Sequence, residues 1–235
     1  MSIENAAHLL LSRIAFSNNI KEIRIIIESF VSAYVSANPS TQMNKLHLLR
    51  TVAVYILLSA TIGQPIEMTL EKFSKYMEKV RLVHATSIKE IYQSMKEAPI
   101  AIFLPFVINT SEKPILTKTS LVKKKADFAL KKKRFIEVSN KKFRCYNDQT
   151  KKVLNVEFSL KNVHDELPNE GKDFNKIILT TYTEEPLYVK SKKKEFDYSF
   201  TVDDDREVLL WREAINYNSF LATLTSYIKQ LKAAN

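Results

Sequence analysis

The sequence predicts an α+β fold: an N-terminal helical bundle, then about seven strands closed by one C-terminal helix. Three observations predict it. Apolar residues recur at three- and four-residue steps through roughly the first hundred positions. From Ile115 the alternation shifts to period two with frequent turns, and from Val208 it returns to the helical period. A polar, turn-like stretch at 109–114 separates the two regimes. It divides the chain into a helical bundle domain, 1–108, and a strand-rich domain, 114–235.

The helices follow in order. Ala6, Leu9, Leu10, Ile14 and Ala15 lie at helical spacing, and 17–19 is a break. Ile20, Ile23, Ile27, Phe30, Val31 and Tyr34 continue an apolar stripe up to the turn at 37–40. Ser40 or Thr41 is expected to cap a third helix carrying Leu46, Leu49, Val52, Ala53, Ile56, Leu57 and Ala60, with Gly63 as its stop. That helix is apolar on most of its circumference, so it is expected to be central. Thr69 is expected to cap a fourth helix through Phe73, Met77 and Val80. Ser87 with Glu90 forms a capping box for a fifth.

The strands are read at 115–124, 133–138, 142–146, 153–160, 177–183, 187–189 and 196–202, with 163–171 as a polar loop. Asp203, Asp204 and Asp205 stand at the start of the last helix, where carboxylates accept orphan N–H groups and complement the dipole.

Composition narrows the function. The chain has 235 residues, two glycines and a net charge of +10. So few glycines exclude a G-x-G-x-x-G or Walker A phosphate loop, and no cofactor is expected. The one cysteine, Cys145, excludes an internal disulfide and a cysteine-based zinc site, and suits the reducing cytosol or nucleus. The apolar start of the chain lacks a basic n-region and is not read as a signal peptide. The longest apolar stretch, 52–62, is too short to span a bilayer. His8, His47 and His84 lack metal-ligand spacing, and His164, beside Asp165 and Glu166, has no nucleophile nearby. No catalytic residue and no metal site is expected.

The charge is concentrated. Between Lys118 and Lys152 stand thirteen basic residues against three acids, a net +10 equal to that of the whole chain. Lys123, Lys124 and Lys125 end the first strand; Lys131, Lys132, Lys133 and Arg134 begin the second. Across an antiparallel hairpin the two clusters face each other and form a cationic mouth suited to phosphate. A solvated edge on which lysine prevents aggregation is the other reading of the same residues.

Two sequence words carry a resemblance to a known family. They are Lys-Lys-Arg-Phe-Ile-Glu-Val at 132–138, and Phe-Asp-Tyr-Ser-Phe-Thr-Val-Asp-Asp-Asp-Arg-Glu-Val-Leu-Leu-Trp-Arg-Glu-Ala-Ile at 196–215. From about Pro114 to Ala234 the chain resembles the pleckstrin-homology (PH) domain. The resemblance implies a bent seven-stranded sheet or barrel capped by the C-terminal helix, with Trp211 as the core anchor of that helix. It also implies phosphoinositide binding by a basic residue late in strand one, Lys124, and by Lys132 and Arg134 in strand two. Ser120 and Leu121 stand where members often carry glycine. The helical half carries no motif that names a family; a helical bundle before a PH-like module is similar to the FERM domain in the order of its parts alone.

The expected function is therefore a non-enzymatic membrane-targeting adaptor, cytoplasmic and peripheral at membranes. Lys123, Lys124, Lys125, Lys132, Arg134 and Arg144 are its expected headgroup ligands, with Phe128 and Leu130 dipping into the interface. A protein partner is expected through the helical half. Three alternatives stay open. One is a protein-binding module that accepts a peptide strand beside the last helix. Another is a nucleic-acid binder stacking bases on Phe135, Phe143 and Tyr146, although alternation turns some of these inward. The third is a small-GTPase regulator in the helical half, where Arg13, Arg24, Arg50 and Arg81 offer no evident arginine finger.

Overall fold

The computed structural model describes residues 1–41, 43–64, 67–78, 85–100, 118–124, 132–166, 174–190, 193–195 and 197–234. The expected interdomain stretch 109–113 and the loop tip with Phe128 and Leu130 lie outside them. The chain is α+β and divides into two compact units, residues 1–105 with 224–235, and residues 106–223.

The first unit is helical. Helix α1 (Ile3–Leu11) starts at Ser2, whose Oγ accepts from Asn5 N at 3.3 Å. Helix α2 (Ile20–Ala37) starts at Asn19, whose Oδ1 accepts from Lys21 N at 2.9 Å. It buries Ile23, Ile27, Phe30 and Val31, one stripe of the 3.6 period. Helix α3 (Lys45–Thr61) starts at Asn44, not at Ser40 or Thr41. The reason is local: Thr41 N bonds Asn38 O at 3.0 Å, so these residues close the preceding turn. Every residue from Leu48 to Leu58 is buried, as expected of a central helix. Gly63 follows α3 at φ 67°, the left-handed region glycine enters without a Cβ penalty.

Helix α4 (Leu70–Met77) is capped by Thr69, whose Oγ1 accepts from Lys72 N at 3.3 Å. Helix α5 (Ala85–Glu97) begins two residues before Ser87, so Ser87 lies inside its first turn and not at a cap. Tyr55, Phe73 and Tyr92 tie α3, α4 and α5 together by ring contacts at 6.5 and 5.6 Å.

The second unit is antiparallel. Its strands are β1 (Lys118–Lys124), β2 (Lys132–Ser139), β3 (Lys142–Tyr146), β4 (Leu154–Ser159), β5 (Val163–Glu166), β6 (Lys176–Thr181), β7 (Tyr188–Lys190), β8 (Lys193–Glu195) and β9 (Asp197–Thr201). Seven of them form one sheet in the order β4-β3-β2-β1-β9-β6-β5, and β7 pairs with β8 in a two-stranded sheet. Asn140 and Lys141 join β2 to β3 with φ of 51° and 66°, a two-residue turn whose left-handed residues match the strand twist. The core gathers around Phe143, whose ring lies 4.9 Å from Phe158, 5.0 Å from Tyr198 and 5.7 Å from Phe200.

The stretch read as a polar loop contains strand β5. Asp165 points inward there and hides the alternation, and Arg212 compensates it at 2.9 Å.

Helix α6 (Asp205–Ala233) closes the chain. Asp204 caps it through Oδ1, which accepts from Arg206 N at 2.9 Å. Trp211 is fully buried and meets Phe200 edge-on at 5.7 Å. Polar residues that follow are also buried, and three of them bond the backbone of the sheet or its turns. Asn218 Oδ1 accepts from Lys141 N at 3.0 Å, Ser219 Oγ donates to Val163 O at 2.6 Å, and Thr223 Oγ1 accepts from Asn162 N at 2.7 Å. The end of α6 belongs to the helical unit. There Arg24 donates to Gln230 at 3.2 Å and Lys232 lies 4.3 Å from the centre of the Tyr76 ring.

Two substitutions test this placement by chemical denaturation. Trp211→Ala should cost about 3–5 kcal/mol, the loss of a large buried side chain with a cavity left behind. Thr223→Val keeps the shape but removes the acceptor for Asn162 N, and should cost about 1–3 kcal/mol. A native spectrum with a solvated tryptophan would contradict the first.

Candidate functional site

The cationic mouth is built by the β1–β2 ladder. Lys123 pairs with Lys133, Lys124 with Lys132, and Val122 with Arg134. Like charges directly opposite in a ladder oppose sheet formation, by roughly 0.2–1 kcal/mol per pair. In the pleat, positions 122, 124, 132 and 134 share the phase of the core residues Ile136 and Val138. Positions 123 and 133 share the phase of Phe135 and Glu137.

Arg134 is held in place. Its Nη1 donates to Asn147 Oδ1, an oxygen that also accepts from Asn155 Nδ2 at 2.9 Å. Lys123, Lys124 and Lys132 are placed here by their backbone. Lys125, Phe128 and Leu130 lie outside the described residues.

Arg144 stands on the other face of the sheet. It sits between two acids, bonding Glu157 Oε2 through Nε at 2.7 Å and Glu137 Oε1 through Nη1 at 3.3 Å. Lys142 reaches Glu157 at 2.7 Å, and Lys151 reaches Glu137. Burial works to raise the Glu137 carboxyl. Hydrogen bonds from Lys151 and Ser139, with the Lys151 and Arg144 charges, outweigh it and hold the group below the usual carboxylate range. Lys142 and Arg144 hold Glu157 low in the same way. The ladder register places these charges: Glu137 is opposite Arg144, and Arg144 is opposite Glu157.

The aromatic residues separate. Phe143 is core. Phe135 and Tyr146 lie on the outer face with Lys151 Nζ at 5.5 and 5.9 Å from their ring centres. His164 stacks on Tyr182 at 4.1 Å. Among the described residues no group of three or more His, Cys, Asp or Glu converges as metal ligands would, and no helix is long and apolar enough to cross a membrane. On the helical unit the large side chains of Leu9, Leu10 and Ile25 are exposed.

The Sec7 domain family matches residues 1–100, the span of α1 to α5. The helical half therefore has a family likeness that its apolar periodicity and caps do not disclose. Among curated proteins nothing matches the chain. Among solved structures, the PH domain of mouse ethanol decreased 4 protein is similar at 15% identity and a TM-score of 0.32. It covers 48% of this chain and 93% of its own. The PH domain of human pleckstrin homology domain-containing family A member 5 is similar at 16% identity and a TM-score of 0.32, covering 49% and 84%. A mutant of RalF from Legionella pneumophila is similar at 14% identity and a TM-score of 0.37, covering 100% and 75%.

The expectation of a non-enzymatic chain is corrected by the Sec7 match, which points to an exchange-factor activity in the helical half. The physical reason it was missed is that nucleotide exchange forms and breaks no covalent bond. It needs no nucleophile, no metal ligand set and no glycine loop on the catalyst, only differential affinity for two states of a partner.

The Asp165–Arg212 pair makes a pH prediction. Burial pushes the Asp165 carboxyl up to about 6 from 3.8, against the Arg212 charge and the Ile178 N–H, which favour the ionised form. A folded pKa above the unfolded one contributes stability that is full below 3.8 and lost as pH rises through about 6. The stability gap between wild type and Asp165→Asn should therefore shrink from pH 4 to pH 7. A carboxyl titration followed by NMR should show a midpoint of about 6 for Asp165; a midpoint below 3.8 would mean that Arg212 prevails over burial.

Proposed function

We propose that this protein is a guanine-nucleotide exchange factor for a small GTPase of the Arf class, brought to anionic membranes by its strand-rich half. The observation that carries the reading is the Sec7 match across residues 1–100. Exchange follows when the helical unit binds the nucleotide-free GTPase more tightly than the loaded one, because a ligand shifts an equilibrium only by its differential affinity. The exposed Leu9, Leu10 and Ile25 offer apolar contact area for a protein partner.

The proposed division of labour follows the two halves, 1–108 and 114–235. In the second, Lys124, Lys132 and Arg134 receive the phosphates of a phosphoinositide headgroup, flanked by Lys123 and Lys125, while Phe128 and Leu130 enter the interface. The like-charged ladder pairs support this, since a bound phosphate removes their repulsion. Arg144 contributes less, because Glu137 and Glu157 already neutralise it.

The test is release of fluorescent GDP from an Arf-class GTPase on liposomes of equal charge, made with phosphatidylserine or with phosphoinositide. The full chain should accelerate release at substoichiometric amounts, and more strongly on phosphoinositide. Arg134→Ala should lose that preference while keeping exchange in solution, whereas Lys193→Ala should weaken binding to both liposomes alike. No acceleration on any surface overturns the exchange reading. Equal loss in the two variants overturns the headgroup pocket alone.

A further inference from the structure

Arg50 is 1% exposed, and among the described residues its Nε, Nη1 and Nη2 each lack a hydrogen-bond partner. It lies in the N-terminal third of α3, beside Thr51, whose hydroxyl is also buried and unpartnered. The ion pairs of the described helical unit, Lys75 with Glu71 and Lys96 with Glu67, leave it out. Helices α1, α2 and α4 carry Glu4, Glu22 and Glu71 in their first turns, but α3 carries no acid there and begins with Lys45. Burial lowers the guanidinium pKa from its ordinary value, yet arginine keeps its charge in proteins.

A buried charge with neither counter-ion nor hydrogen bonds is among the costliest groups a core can hold. It persists where an anion completes it. We propose that Arg50 is a receptor for an oxyanion, a carboxylate or phosphate group that its guanidinium fork grips and that reaches it through local opening of the helical unit. The fork offers up to five donors in one plane, the geometry that two oxygens of such a group accept. Binding displaces no internal partner of Arg50. The site lies in the helical unit and does not depend on the lipid reading of the strand-rich half.

The experiment is thermal unfolding of the full chain at constant ionic strength in chloride, inorganic phosphate or acetate, followed by circular dichroism at the helix band. Phosphate, acetate or both should raise the midpoint of the wild type saturably, by about 5 °C once the anion is near ten times its Kd. Arg134→Ala should keep that rise, which separates the site from the β1–β2 mouth. Arg50→Met should abolish it while being at least as stable as the wild type in chloride, since an apolar side chain of similar volume needs no partner. A response to phosphate alone identifies a phosphate group, and one to acetate alone a carboxylate. The proposal is overturned if neither anion acts, if Arg50→Met responds as the wild type does, or if Arg50→Met unfolds or weakens the protein in chloride. That last result would show Arg50 to be already paired.

Discussion

The structure depends on one constraint, the complete burial of the middle of α6. Every residue from Ala214 to Thr225 is buried, so that segment has no solvent face on which to place its polar side chains. Asn218, Ser219 and Thr223 solve the problem by bonding backbone groups at Lys141, Val163 and Asn162. Two of those positions, Lys141 and Asn162, have positive φ, so the helix satisfies amides of turns that cannot pair in a ladder. Earlier in the helix Val208, Trp211, Ala214 and Ile215 fill the sheet core; later Tyr227, Ile228 and Leu231 are buried as part of the helical unit.

The charge concentrated between Lys118 and Lys152 is resolved by the ladder into two unlike parts. On the outer face of β2, β3 and β4, Lys142, Arg144 and Lys151 are matched by Glu137 and Glu157. At the end of the β1–β2 hairpin, lysine faces lysine twice, with no acid in the ladder between them. The net +10 of this stretch thus says less about the arrangement of its charges than the register does.

Much of the fold was legible because local rules governed it. Asn19, Thr69 and Asp204 cap the helices that the apolar period announced, and β3 spans the five alternating residues read for it. Where a distant partner decides, the sequence was silent. Asp165 reads as loop because its compensating charge, Arg212, is far along the chain. Ser40 and Thr41 look like caps, but the turn that uses them ends short of α3. In the candidate site, the Lys132 and Arg134 spacing was visible, whereas the neutralisation of Arg144 needed the pairing of three strands. The proposed exchange activity would leave no chemical signature, since a surface that prefers one state of a partner is composed of ordinary side chains.

The central claim is that the helical half recognises a GTPase by its nucleotide state. The most direct measurement is the affinity of the full chain for one Arf-class GTPase in two forms, stripped of nucleotide and loaded with GDP and magnesium. The account predicts a stable complex with the stripped form that dissociates when GDP or GTP is added. Equal affinity for the two forms would contradict it, because a ligand that binds both states alike shifts neither.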